Sequence, residues 1–172
     1  KEMVEALTDA VCICTWVPFN EGWGQFDAKQ ITRLVRKLDP TRLIDHASGW
    51  HDQGVSDVRS LHVYFKPYRF KPDKKGRAVV LSEFGGYNLP VAGHTWNEKN
   101  FGYKGYQTPE ALGEAVRKLY ETQIIPARNA ADVYTQLSDV EDEVNGFVTY
   151  DRRVEKLPEA LMQAIARELK GE

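Results

Sequence analysis

The sequence predicts an α/β fold with parallel strands, on three observations. Short apolar runs rich in β-formers recur along the chain, amphipathic helical periods fall between them, and Pro or Gly marks the joins. Residues 11–17 (VCICTWV) form a continuous apolar run, the pattern of a strand buried on both faces. In residues 26–38, Ile31, Leu34, Val35 and Leu38 recur at helical spacing, and Asp39-Pro40 stops the helix. Residues 42–47 (RLIDHA), 60–64 (SLHVY) and 78–83 (AVVLSE) read as further strands. Pro109 stands as the first helical residue behind a Thr108 cap, with Leu112, Val116, Leu119 and Tyr120 on one face. Residues 132–137 (DVYTQL) make another strand and residues 158–169 a closing helix. Strand, connection and strand in repetition call for parallel pairing with helical crossovers. Two connections depart from this. Residues 65–77 are proline-bearing and too short for a regular helix, while residues 85–107 are long and aromatic, the length of a functional lip.

Composition narrows the function. No shift in composition marks a second domain, so residues 1–172 read as one domain. A net charge of -2 gives no electrostatic reason to bind nucleic acid or an acidic membrane. The basic cluster 66–77 carries two prolines and Asp73 and reads as a solvated loop. No apolar stretch approaches the ~18–20 residues of a membrane span, and nothing at the start resembles a signal peptide. Lys1 opens what reads as the middle of a helix, which leaves the compartment open. Cys12 and Cys14 stand two apart on the first strand and are not expected to bridge readily.

Two glutamates close apolar runs: Glu21 after 11–19 and Glu83 after 78–82. A carboxylate at the far end of a buried strand is where parallel-sheet enzymes present catalytic groups. A pair of them on different strands is the minimum equipment for cleaving a glycosidic bond, one carboxyl protonated and the other ionised. The acidic run 139–143 (DVEDE) matches no cation-binding loop, the histidines form no HExxH, and no nucleotide-binding or nucleophile-elbow motif occurs, so neither metal nor cofactor is expected. Gly85-Gly86 reads as close backbone approach beside Glu83.

These residues meet a family pattern. Phe19-Asn20-Glu21-Gly22-Trp23-Gly24 resembles the acid/base segment of glycoside hydrolase family 2, the β-galactosidase, β-glucuronidase and β-mannosidase group. Ser82-Glu83-Phe84-Gly85-Gly86 resembles its nucleophile segment. The likeness continues through Asp45-His46-Ala47-Ser48-Gly49-Trp50, His62-Val63-Tyr64, Tyr134-Thr135-Gln136 and Asp139-Val140-Glu141, in the family's order. It implies a partial (β/α)8 barrel, about strands four to eight, with residues 1–10 as the tail of the preceding helix and the first barrel strands and β-sandwich domains absent. It also implies a retaining, exo-acting β-glycosidase of β-galactosidase type, with Glu21 as acid/base and Glu83 as nucleophile.

Asn20 would bond the sugar 2-hydroxyl, or else cap the next helix. Tyr64 would orient Glu83, or else be a half-buried core aromatic. Trp50 and Trp96 would carry the sugar's apolar face, with Trp50 equally open to a core role. His46, His62 and His94 could bind hydroxyls, His46 and His62 being equally open to a role as satisfied buried imidazoles. Trp16 and Trp23 are expected to pack and His51 to be exposed. The implied open edge predicts self-association, or local rearrangement that covers it, and weak or absent turnover by this chain alone. A related endo-acting barrel glycosidase and a non-catalytic carbohydrate-binding scaffold are the competing readings.

Overall fold

Pro18 has no N–H to donate, and the parallel ladder that opens the fold is interrupted there. The computed structural model describes residues 1–172, which fall into two units. The first comprises residues 1–62, 71–82 and 129–131, the second residues 63–70, 83–128 and 132–172.

The first unit begins with α1 (Glu2–Leu7), β1 (Thr15–Trp16), β2 (Phe19–Asn20), α2 (Ala28–Leu38), β3 (Leu43–Ile44) and β4 (Ala47–Ser48). β1 pairs with β3 and β2 with β4, both parallel, with Thr15 opposite Leu43 and Phe19 opposite Ala47. The register is the same on both sides of Pro18. The break is bridged by Asp45 N–H donating to the Trp16 carbonyl (2.9 Å) and Phe19 N–H to the His46 carbonyl (3.1 Å). The strand expected over 11–17 is therefore only Thr15–Trp16. Val11 is 98% exposed and Val17 45%, because β1 has a ladder partner on the β3 side alone and Pro18 stops it. The strand expected over 42–47 is likewise split in two.

Helix α2 starts at Ala28, not at residue 26, and its buried stripe is rotated from the expected one. Thr32 and Val35 are buried while Leu34 is exposed. Thr32 tolerates burial because its hydroxyl donates to the Ala28 carbonyl at 2.7 Å. Val4, Trp16, Val35 and Ile44 form the core here, with Ile13, Ile31 and Leu38 packed against it. Beside it, Asp39 Oδ2 accepts from Trp16 Nε1 (2.8 Å) and Arg42 (2.6 Å), while Oδ1 accepts from the Thr41 amide and hydroxyl. These donors, the Thr41 hydroxyl foremost and Arg42 next, hold the Asp39 carboxyl well below the usual carboxylate range.

The basic segment 66–77 ends in an ion cluster rather than a phosphate patch. Arg77 donates to Asp73 (3.0 Å) and Asp52 (2.7 Å), and Arg59 donates to Asp52 (2.5 Å). Arg77 holds the Asp73 carboxyl at about 2. An unfolded Asp titrates near ~3.9, so between the two values the unfolded chain binds more protons and stability falls with acidification. The urea midpoint is accordingly expected to drop as pH falls from ~4 toward 2, and Arg77→Gln to flatten that drop.

Two strands start in this unit: β5 (Val58–Val63) and β6 (Ala78–Gly85). In β5 burial alternates, with Val58, Ser60 and His62 inward.

The second unit contains β7 (Tyr87–Asn88), β8 (Lys104–Gly105), α3 (Pro109–Leu119), α4 (Glu159–Lys170) and all but the first residue of β9 (Ala131–Thr135). The order in the largest sheet is β5–β6–β9, and β7 pairs with β8 in parallel, so the long aromatic connection carries two short strands of its own. Thr108 caps α3 as expected, its hydroxyl accepting from the Ala111 amide at 3.2 Å. Thr108→Ala should lower stability by about 1 kcal/mol, read as a shift in urea midpoint at constant slope. Past Leu119 the helix widens into a π turn, Tyr120–Ile124. Leu112, Val116, Leu119, Tyr120 and Ile124 are all buried, and Phe84 meets the rings of Tyr120 and Tyr134 edge-on at 5.5 Å. No helix is long and apolar enough to cross a membrane.

Candidate active-site residues

Glu21 follows directly on β2 and is held in the left-handed backbone region (φ 55). That conformation is unfavourable for a non-glycine residue by roughly 1–2 kcal/mol and persists only where the surroundings enforce it. Here the Glu21 amide donates to the Ser48 carbonyl at 2.7 Å, and the Gly22 amide turns back onto the Asn20 carbonyl at 2.8 Å. The turn swings the Glu21 carboxyl onto His62. Oε1 lies 2.9 Å from Nδ1, and the other ring nitrogen of His62 lies 2.8 Å from Ser48 Oγ. His62 is buried at the inward end of β5. Gly49 (φ 90) lies flat against its ring, where any Cβ would overlap the imidazole.

Around this pair lie other residues singled out in the sequence. Asn20 is exposed and does not cap α2, whose N-cap is Asp27. Trp50 is half-exposed, its indole edge-on to His62 at 6.3 Å and its N–H directed at the His62 carbonyl (3.4 Å). His46 is fully enclosed. Its Nε2 accepts from the Gln53 amide (3.2 Å), so Nδ1 carries the hydrogen and donates to Ser56 Oγ (2.6 Å). Burial lowers its pKa, in keeping with a neutral ring, and neither nitrogen is left over for a sugar hydroxyl. Neighbouring Asp45 is raised, again chiefly by burial. Trp16 packs, but Trp23, expected to do so, is 78% exposed because it sits in the turn beyond β2 rather than on an element.

In the second unit Glu83 lies on β6, and the Tyr64 hydroxyl donates to its Oε2 in a very short hydrogen bond. With that hydrogen committed, the Tyr64 oxygen accepts from the Thr135 hydroxyl at 2.9 Å. Burial first, then the Glu83 carboxylate, raises the Tyr64 phenol so far that it stays a donor at any ordinary pH. Tyr103, from the long connection, stacks on Tyr64 at 4.3 Å and 9°. Phe65 and Phe101 flank Tyr103 and are largely exposed. Gly85 (φ 86) is the close approach its sequence suggests, since a Cβ there would enter the Tyr134 ring.

His94 and Trp96 find partners of their own in the second unit. His94 Nδ1 pairs with Asp151 at 2.8 Å, and Trp96, 57% exposed, lies against Tyr150 at 5.0 Å. Thr149 first, and then His94, hold the Asp151 carboxyl at about 2. The acidic run 139–143 is dispersed into separate bonds: Asp139 to Lys156, Asp142 to Asn97 and Glu143 to Gln136. The residues sequence reasoning missed are serines. Buried Ser48 and Ser60 and half-buried Ser82 form a hydroxyl row behind His62, and the inward, period-two placement of Ser60 and His62 on one strand was the available signal.

No protein-family model matches the chain, and no curated protein does. Solved structures do. A Faecalibacterium prausnitzii β-glucuronidase aligns with 98% of this chain at a TM-score of 0.62 and 16% identity. The agarase AgWH50C aligns with 84% at 0.53 and 12% identity, and an exo-β-agarase with 83% at 0.51 and 15%. At such identities the likeness is one of fold, that of a partial (β/α)8 barrel with parallel strands. The chain spans about a third of that β-glucuronidase and a quarter or less of the two agarases.

Proposed function

We propose that this chain carries both catalytic carboxylates of a retaining, exo-acting β-glycosidase, with Glu21 as acid/base and Glu83 as nucleophile. The reading is supported above all by the partner each carboxylate holds: within the first unit Glu21 is bonded to His62, and within the second Glu83 accepts from Tyr64. The two environments also differ in the sense the chemistry needs. Tyr64, itself backed by Thr135, offers Glu83 a permanent hydrogen-bond donor. Glu21 faces an imidazole with which it can exchange a proton.

On this reading Glu83 attacks the anomeric carbon while Glu21 protonates the leaving oxygen, and water then releases the sugar with Glu21 as base. Asn20 bonds the 2-hydroxyl, and Trp50 offers its half-exposed face to the ring. The solved neighbours include a β-glucuronidase and an exo-β-agarase, which fits a carbohydrate substrate processed from a chain end. No Arg/Lys arrangement here addresses a uronic carboxylate, which favours a neutral β-galactoside. The missing barrel wall would make turnover by this chain alone weak.

The test is covalent trapping in a longer form that restores the barrel. A 2-deoxy-2-fluoro β-galactoside should leave its sugar on the peptide carrying Glu83. Failure of every common fluoroglycoside to label would favour a carbohydrate-binding scaffold, and preferential turnover of internal linkages in polysaccharide would favour the endo-acting reading.

A further inference from the structure

The serine row behind His62 has a direction. The Leu61 carbonyl can only accept and lies 3.2 Å from the Ser82 hydroxyl, while Ser60 Oγ lies 2.6 Å from it, so Ser82 has two acceptors for its one hydrogen besides Ser48. Ser82 Oγ then accepts from Ser48, whose hydroxyl points at it across 2.9 Å. Ser48 has no second hydrogen, so its 2.8 Å contact with His62 Nε2 requires the ring N–H to donate. Nε2 is therefore protonated. On the far side of the ring Nδ1 meets Glu21 Oε1 at 2.9 Å, a contact that holds only if one hydrogen lies between them.

We infer that Ser48 and Ser82 set the tautomer of His62 and thereby keep one proton on the Glu21–His62 pair. The two forms that satisfy the geometry are imidazolium with carboxylate and Nε2–H imidazole with carboxylic acid. Both carry one proton more than the opposite wiring, an Nδ1–H imidazole beside a carboxylate. Ser48 is thus a positioning residue, acting through the ring on a carboxyl it does not touch. Its catalytic meaning rests on the glycosidase reading. There the loaded pair gives its proton to the leaving oxygen in the first half-reaction and recovers one from water in the second, so the count closes. The tautomer itself depends on no activity.

Two-bond 1H–15N correlation of the 15N-labelled protein reads the ring state directly, with the His62 signals assigned by their loss in His62→Gln. The wild type should show Nε2 in the protonated range. Ser82→Ala frees the Ser48 hydrogen to turn toward the ring and should move Nε2 into the unprotonated range, with the Ser48 hydroxyl still present. Ser48→Ala removes the acceptor and should move Nε2 toward the unprotonated range. Ser56→Ala, which alters only the His46 side, should leave His62 unchanged. A bare Nε2 in the wild type, or an unmoved His62 in Ser82→Ala, overturns the inference, and the wild-type spectrum decides even if a variant fails to fold. Fluoroglycoside labelling of Glu83 stands or falls separately.

Discussion

Glu83→Gln is expected to lower kcat in a longer, active form by on the order of 10⁴-fold or more, the scale of losing a covalent nucleophile. Glu21→Gln should lower it by about 10²–10⁴-fold for substrates whose leaving group needs protonation. The two losses are distinguishable. A dinitrophenyl glycoside departs without acid help, so its glycosylation step should survive Glu21→Gln and accumulate the glycosyl-enzyme as a burst. Glu83→Gln should abolish burst and turnover alike. Both changes are isosteric. The amide oxygen introduced by Glu83→Gln can still accept from Tyr64, and the amide introduced by Glu21→Gln can still meet His62 in one orientation. The unfolding midpoints should therefore stay close to wild type. An active Glu83→Gln, or a burst retained by it, would remove Glu83 from the mechanism.

Much of this was legible from local pattern, and what was not has a common cause. Helix α3 is written in its own residues: the Thr108 cap, Pro109 and the apolar stripe Leu112–Val116–Leu119 act over one or two turns and need no distant partner. The run 11–17 misled because apolarity reports what a segment could bury, whereas strand length depends on neighbours and on Pro18. Leu34 and Thr32 exchange roles for a similar reason, since the surrounding core decides the stripe's rotation and a back-bonded hydroxyl makes Thr acceptable inside. Of the candidate residues, Tyr64, expected to orient Glu83, is found bonded to it. His46 was ambiguous because a buried imidazole and a ligand-binding one look alike until both nitrogens are traced. The serine row was invisible as chemistry, since three hydroxyls from separate segments, β4, β5 and β6, become a directed chain only in space.

Lys156→Ala is expected to cost about 3–5 kcal/mol, the largest stability effect of any single change considered, because it strips the partner from a buried carboxylate. Lys156 and Asp139 are both enclosed, their side chains 0% exposed and 2.7 Å apart. The ammonium also donates to the Val144 carbonyl (2.9 Å), and Asp139 Oδ1 accepts from the Gly146 amide (2.8 Å). Asp139 Oδ2 has no hydrogen-bond partner, so the carboxylate leans heavily on Lys156. Burial lowers the lysine's own pKa, with Asp139 opposing the shift. The surroundings cannot relax to admit compensation easily. Gly146 lies so close to the backbone of Ser138 and Asp139 that even a methyl group would collide. The double variant Lys156→Met/Asp139→Leu should recover much of the loss, since it removes both charges and not merely one. Urea unfolding of the single and double variants checks this. A single-variant loss under about 1 kcal/mol would mean that Asp139 sheds its charge or reaches solvent when the lysine goes. The effect should also reach the chemistry. Asp139 lies four residues beyond Thr135, which supports Tyr64 against Glu83, and the Gln136 amide between them donates to the Asn145 carbonyl. Loosening 136–146 therefore frees Thr135 before the rest of the unit melts. On the glycosidase reading, Lys156→Ala in a longer, active form should lose kcat at temperatures where its secondary structure is still intact, while the charge-free double variant keeps it.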